Sequence, residues 1–164
     1  MQILRASAVA LLLVAAAFVT ASCETSKLFA GDPEQQFPKD TQWMRGQPFT
    51  TPSFDVIWQR TGEVLAREGF RADEALTSVS HGEIVSLWIT RMAPTRYQGK
   101  RRRAHVRIEP LEGAQWRAAV AVIRQQNADI DDPPNVVSAQ WEADGIDEDR
   151  SKLLLWGIEQ PFRK

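Results

Sequence analysis

The sequence predicts a two-layer α+β domain, with an antiparallel sheet of three to four strands and an N-terminal and a C-terminal helix packed on one face. Three observations carry this reading. An amphipathic stripe runs through residues 53–69. Strict alternation over residues 103–109 is followed by a turn and a second alternating run at 116–125. An apolar side recurs along residues 147–160.

Ser53 suits the N-cap of the first helix, after Pro52, and Asp55 is favourable in its first turn. Phe54, Ile57, Trp58, Thr61, Leu65 and Glu68 lie near one stripe with Val64 beside it, and Gly69 ends the helix. Gly62 costs that helix about 1 kcal/mol relative to Ala unless a neighbour packs closely there. Residues 84–92 predict the first strand, with Val85, Leu87 and Ile89 on one face and Ser86, Trp88 and Thr90 on the other. In the clearest strand, 103–109, Ala104, Val106 and Ile108 point inward while Arg103, His105, Arg107 and Glu109 point outward. Pro110, Leu111, Glu112 and Gly113 make the turn, and Trp116, Ala118, Val120 and Val122 share one side of the next strand. These three runs predict a meander with one buried face. Residues 129–135 read as a loop and 136–141 as a short fourth strand. The last helix is acidic at its start, apolar through Leu154, Leu155 and Ile158, and terminated by Pro161.

Composition narrows the functional classes. A chain of 164 residues, 43% hydrophobic and 25% charged, suits one globular domain. Its 20 Lys and Arg against 21 Asp and Glu give no whole-molecule attraction to nucleic acid. One cysteine excludes an intramolecular disulfide, and two histidines leave little material for a His-rich metal site. No metal or cofactor is expected. Asp129, Asp131 and Asp132 lack the Gly and closing Glu of a calcium loop, and Asp144, Asp147 and Asp149 share that defect. No catalytic residue stands out: there is no Gly-x-Ser-x-Gly elbow, and the adjacency of Ser80 and His81 makes no triad.

The first residues form an export signal, with Arg5 in a short leading segment, an apolar run from Ala6 to Val19, and small residues before Cys23. That run is shorter than the roughly 20 residues a spanning helix needs. Thr20-Ala21-Ser22-Cys23 resembles the lipobox of bacterial lipoproteins, with Thr20 in place of the usual Leu. The resemblance implies cleavage after Ser22 and a diacylglycerol on Cys23, enough lipid to hold the protein on a membrane. Glu24, where enteric inner-membrane lipoproteins carry Asp, points by the same analogy to the outer membrane, facing the periplasm. The expected organisation is a signal peptide at 1–22, a polar tether at 23–51 and one α+β domain at 52–164. The run from Arg101 to Pro110, with the hairpin and acidic late helix after it, resembles uncharacterised envelope lipoproteins of planctomycete-type bacteria over about residues 53–160. That resemblance supports the order of helix, sheet and helix and implies no activity.

One charge cluster is dense. On a strand, Arg101, Arg103, His105 and Arg107 point the same way, and Arg117 of the next strand can join them. Such a face suits phosphate or the carboxylates of an envelope polymer, because arginine forms paired bonds to both. The structural alternative is a solvated outer face paired with Glu109 and Glu112. Trp58, Trp116 and Trp156 have structural homes, whereas simple alternation sets Trp88 beside the arginines, with Trp141 also unplaced. An inverted alternation would bury Trp88 with Ile84 instead. The expected function is binding or scaffolding in the cell envelope, to an anionic polymer or another envelope protein. An accessory role in an export or outer-membrane assembly complex is the second reading, and a glycan-acting enzyme the third.

Overall fold

The structure, a computed structural model, describes residues 42–163. Its centre is the hairpin that the alternation predicts. Strands β5 (Lys100–Pro110) and β6 (Gln115–Asn127) pair in register from Lys100 opposite Gln126 to Pro110 opposite Trp116. Both are long, at 11 and 13 residues, because each alternates without interruption. A short 3₁₀ turn at Glu112–Ala114 joins them, closed by the Leu111 N–H donating to the Gln115 carbonyl.

Shorter strands flank the hairpin. Along the outer edge of β6 lie β1 (Met44–Arg45), β2 (Phe49–Thr50) and β7 (Trp141–Ile146). Along the outer edge of β5 lie β3 (Glu83–Val85) and β4 (Ile89–Arg91). Among the described residues all pairs are antiparallel, and the sheet has seven strands in four lanes. The α+β class is as expected, but the count of three to four strands is too low. The expected strand at 84–92 is two strands, the expected strand at 136–141 begins only at Trp141, and β1 and β2 lie within the stretch expected as tether. Composition concealed those two short strands: Gly46 and Pro48 sit between them, and Phe49 nonetheless reaches the core.

Helix α1 (Phe54–Arg67) buries Ile57, Thr61, Val64 and Leu65, and α2 (Glu148–Glu159) buries Leu154, Leu155 and Ile158. Both stripes join Ala104, Val106, Ile108, Ala118, Val120 and Val122 in one core. Ser53 occupies the N-cap of α1 without a side-chain bond. Gly69, at φ 82°, turns the chain out of the helix; its N–H donates to Ala66 and the next, from Phe70, to Leu65. Asp147 caps α2 by accepting the Arg150 N–H at 3.1 Å. Trp156 departs from its expected structural home, standing 55% exposed on α2, because the core stripe there falls on Leu154, Leu155 and Ile158.

Both outer lanes carry more residues than the central strands beside them. Between Ile84 opposite Val106 and Ile89 opposite Arg102, the chain holds an extra residue, a bulge. A second lies in β7 between Ala143 and Ile146, where Gly145 takes φ 76°. The first bulge explains why the expected alternation over 84–92 fails: Ile84 and Ile89 both belong to the helix-side core, and Val85 faces the other way.

Where the lanes break, two serines take over the pairing. Ala104 and Val122 are opposite each other in the hairpin and fully buried, so their outward N–H groups need partners. The Ala104 N–H donates to Ser86 Oγ at 2.9 Å, and the Val122 N–H to Ser151 Oγ at 2.9 Å. Each hydroxyl in turn donates a hydrogen bond to a backbone carbonyl, Ser86 to Leu87 and Ser151 to Asp147. Ser86→Ala and Ser151→Ala should each lower the unfolding free energy by about 1–3 kcal/mol, the cost of an orphaned buried donor. Urea denaturation measures this, and losses below about 0.5 kcal/mol would show that these hydroxyls are dispensable. Gly62 offers the opposite case, being exposed, with open space where a side chain would stand. Gly62→Ala should raise stability by about 1 kcal/mol in the same assay, and a loss would contradict the helical geometry assigned there.

Candidate functional site

The face of the sheet away from the helices gathers the predicted cluster. Arg101, Arg103, His105 and Arg107 share it on β5, and Arg117 stands opposite Glu109 on β6. The alternative of a solvated outer face paired with Glu109 and Glu112 holds only in part. Arg103 and His105 are 5% and 6% exposed, and Arg101, Arg107 and Arg117 are half-buried.

Three indoles from the flanking lanes lie among these cations. Trp43, immediately before β1, meets the His105 ring edge-on at 4.6 Å, and the Arg107 guanidinium lies 5.0 Å from its centre. Trp88 follows the bulge between β3 and β4 and takes two guanidiniums, Arg101 at 4.3 Å and Arg103 at 4.7 Å. Trp141 opens β7 and lies 4.5 Å from Arg101. Trp88 therefore stands beside the arginines, and the inverted alternation that would bury it with Ile84 does not hold. The Ser86 bond to Ala104 and the Leu87 N–H bond to the Arg71 carbonyl fix its backbone. Trp141 is positioned by Asn127, its cross-strand partner. The buried Asn127 amide accepts the N–H groups of Asp129 and Gln140 and donates to the Pro133 carbonyl, tying down the loop that delivers Trp141.

Carboxylates neutralise most of the row. Glu83 pairs with Arg107 at 2.7 Å, Glu109 with Arg117 at 2.7 Å and with Arg45 at 3.5 Å, and Asp73 with Arg103 at 3.6 Å. The pairing of Arg117 with Glu109 is the one expected, whereas Glu112 stays exposed in the turn. Arg101 differs. Among the described residues no carboxylate pairs with it, and its side-chain hydrogen bond runs from Nε to Gln125 Oε1 at 2.7 Å. Burial, with the neighbouring charge of Arg103, lowers its pKa to about 10, so it remains a cation at neutral pH. Burial also lowers Arg103, against the opposing pull of Asp73.

Sequence reasoning missed Trp43, Asp73, Glu83 and Gln125. Gln125 had a readable signal, since any hairpin placing Glu109 opposite Arg117 also sets Gln125 opposite Arg101. Trp43, Asp73 and Glu83 arrive from segments whose approach depends on the tertiary fold.

The acidic loop holds itself. Asp129 accepts from the Ser138 hydroxyl and from the Asp131 and Asp132 N–H groups, and the first two of these bonds hold its carboxyl below the usual range. No group of three or more metal-ligating side chains occurs among the described residues. Cys23, the expected lipidation site, lies outside them. No family model and no curated protein matches the chain.

His105 sets a pH dependence. Burial lowers its pKa to about 4; Glu83, 3.9 Å away, opposes that, while Arg107 and Arg103 reinforce it. The imidazole is therefore neutral at pH 7. An unfolded chain takes up this proton near pH 6.5, which the folded chain resists until about 4. Its stability contribution is thus complete above pH 6.5 and lost as pH falls through 4, by roughly 3 kcal/mol in all. The loss of stability between pH 6.5 and 4, measured by denaturant titration, should be correspondingly shallower in His105→Gln. Equal slopes in parent and variant would refute the assignment.

Proposed function

We propose that this is a lipid-anchored protein of the bacterial envelope, held through Cys23 at the outer membrane and facing the periplasm, whose domain binds an anionic envelope polymer without catalysis. One observation carries the binding role: Arg101 is a half-buried cation stacked on two indoles with no carboxylate partner among the described residues, while Arg103, Arg107 and Arg117 each have one. Desolvating an uncompensated cation costs free energy that an arriving anion would return. The Arg-rich row as a whole is thereby reduced to one recognition residue, with Trp88 and Trp141 as its walls and the other cations as supports. The anchor reading rests on the lipobox resemblance; among the described residues no helix is long and apolar enough to cross a bilayer.

A second reading, an accessory subunit of an export or assembly complex, draws on a different feature. The loop over residues 128–140 displays Ile130, Val136 and Val137, the last 91% exposed, on a backbone pinned by Asn127 and Asp129. A rigid apolar tip suits a protein partner better than a charged polymer. For the glycan-acting alternative, a cavity of about 320 Å³ lined by Phe49, Phe162 and Glu159 supplies one carboxylate, already paired with Arg163. Two-carboxylate chemistry needs a second.

Co-sedimentation with purified peptidoglycan and with lipopolysaccharide tests the polymer reading. Retention on one of them should fall as salt rises and should be lost in Arg101→Gln but not in Arg107→Gln. Retention indifferent to salt and to Arg101 would overturn it, and salt-resistant co-purification with a single protein complex, lost in a Val136→Asp, Val137→Asp double variant, would put the accessory role in its place. Cys23→Ser should lose lipid labelling and leave the membrane fraction; a labelled Cys23→Ser protein still on membranes would remove the anchor.

A further inference from the structure

The surroundings of Arg101 restrict the shape of anion it can take. Trp88 and Trp141 reach it from opposite sides of β5: one from the β3–β4 connection, the other from β7 beyond β6. Both ring centres lie within 4.5 Å of the guanidinium carbon, and with the indoles arriving from opposite sides an anion has least room across the broad faces of the cation. Its Nε edge is taken by Gln125. What remains, among the described residues, is the edge formed by Nη1 and Nη2, two parallel donors in the plane of the group.

A ligand must therefore approach in that plane, between two aromatic faces that carry negative partial charge. A carboxylate matches this slot. It is flat, its two oxygens take both donors, and it places no charge toward the indoles. A phosphate meeting the same edge with two oxygens projects the others above and below the plane, toward ring faces that repel them. The lack, among the described residues, of a carboxylate partner for Arg101, when each neighbouring arginine of the row has one, gives the slot its charge demand.

From this geometry we infer that the Trp88–Arg101–Trp141 cluster selects carboxylate groups over phosphate groups. The inference rests on the binding role proposed above for Arg101. The carboxylate can belong to an acidic sugar or to an acidic peptide, and the cluster's chemistry is the same for both.

Calorimetric titration of the full chain in neutral detergent, at fixed low ionic strength, compares three probes of matched charge: trigalacturonate, triglutamate and trimetaphosphate. One or both carboxylate probes should bind at least about tenfold more tightly than trimetaphosphate, and the tighter of the two identifies sugar or peptide as the source. Arg101→Lys, which keeps the charge but loses the planar fork, should weaken the carboxylate probes by about tenfold while changing trimetaphosphate by less than about threefold. Trp141→Leu, which opens one wall and leaves Arg101 in place, should erase the discrimination by admitting phosphate, and thermal melts confirm that each variant is folded. Equal or tighter binding of trimetaphosphate through Arg101 overturns the selectivity and leaves the polymer reading standing. Failure of all three probes to bind overturns both.

Discussion

The rest of the structure depends on how the long central hairpin satisfies its outer backbone edges. Its two strands bury their alternate side chains under the helices, so the outward N–H and C=O groups of their fully buried residues must each find a partner. No single neighbouring strand runs the full length on either side. At the level of Ala104 and Val122 both flanking lanes are interrupted, and the interruption falls on two fully buried residues. Ser86 closes the gap on one side from a bulge, and Ser151 closes it on the other from the first turn of α2, where the Asp147 N–H also meets the Val122 carbonyl at 2.7 Å. A hydroxyl can do this because it accepts and donates at once. Any apolar residue of similar size would fill the space and leave a donor unpaired.

Those interruptions also decide which way the side chains around Arg101 point. In a strand, one inserted residue exchanges the two faces for everything beyond it. The extra residue between Ile84 and Ile89 lets both isoleucines reach the core while Val85 and Trp88 stand on the opposite face. The extra residue at Gly145 does similar work in β7, where Trp141 and Ile146 lie on the face that carries Arg101 although their spacing is odd. The backbone repair and the aromatic walls of the Arg101 site are therefore consequences of the same local geometry. A strand of strict alternation at 84–92 could not have buried Ile84 and Ile89 together.

This also explains how much was legible beforehand. The central hairpin, both helices and their buried stripes follow from period alone, since each is long enough for its pattern to dominate. Arg101, Arg103, His105 and Arg107 share a face for the same reason. The flanking strands are two, three or six residues long, and a bulge within or between them removes the period by which a strand is recognised. Trp43 was hidden in this way, beside a two-residue strand in a segment whose prolines and glycine suggest a linker. The burial of the charged face was hidden too, because alternation separates two faces without saying whether the polar one is covered. Asp73 and Glu83 complete the picture, reaching across from β3 and the segment before it to arginines they pair with in space.

Charge along this face follows a consistent logic with one break in it. Cations at alternate positions of a strand stand about 6–7 Å apart, and at an effective dielectric near 20 each neighbouring pair repels by roughly 2–3 kcal/mol. The row relieves this with Glu83 at Arg107, Asp73 at Arg103, and a His105 that burial keeps neutral between them. Guanidinium is also weakly hydrated, so stacking on indole replaces its lost water at modest cost. At Arg101, among the described residues, the relief stops: two indoles and one amide stabilise the group without cancelling its charge. Natural folds tolerate such an inconsistency chiefly where function requires it. The near-neutral balance of the whole chain thus conceals a local excess of positive charge on this face of the described residues, beside the register shifts of two outer lanes.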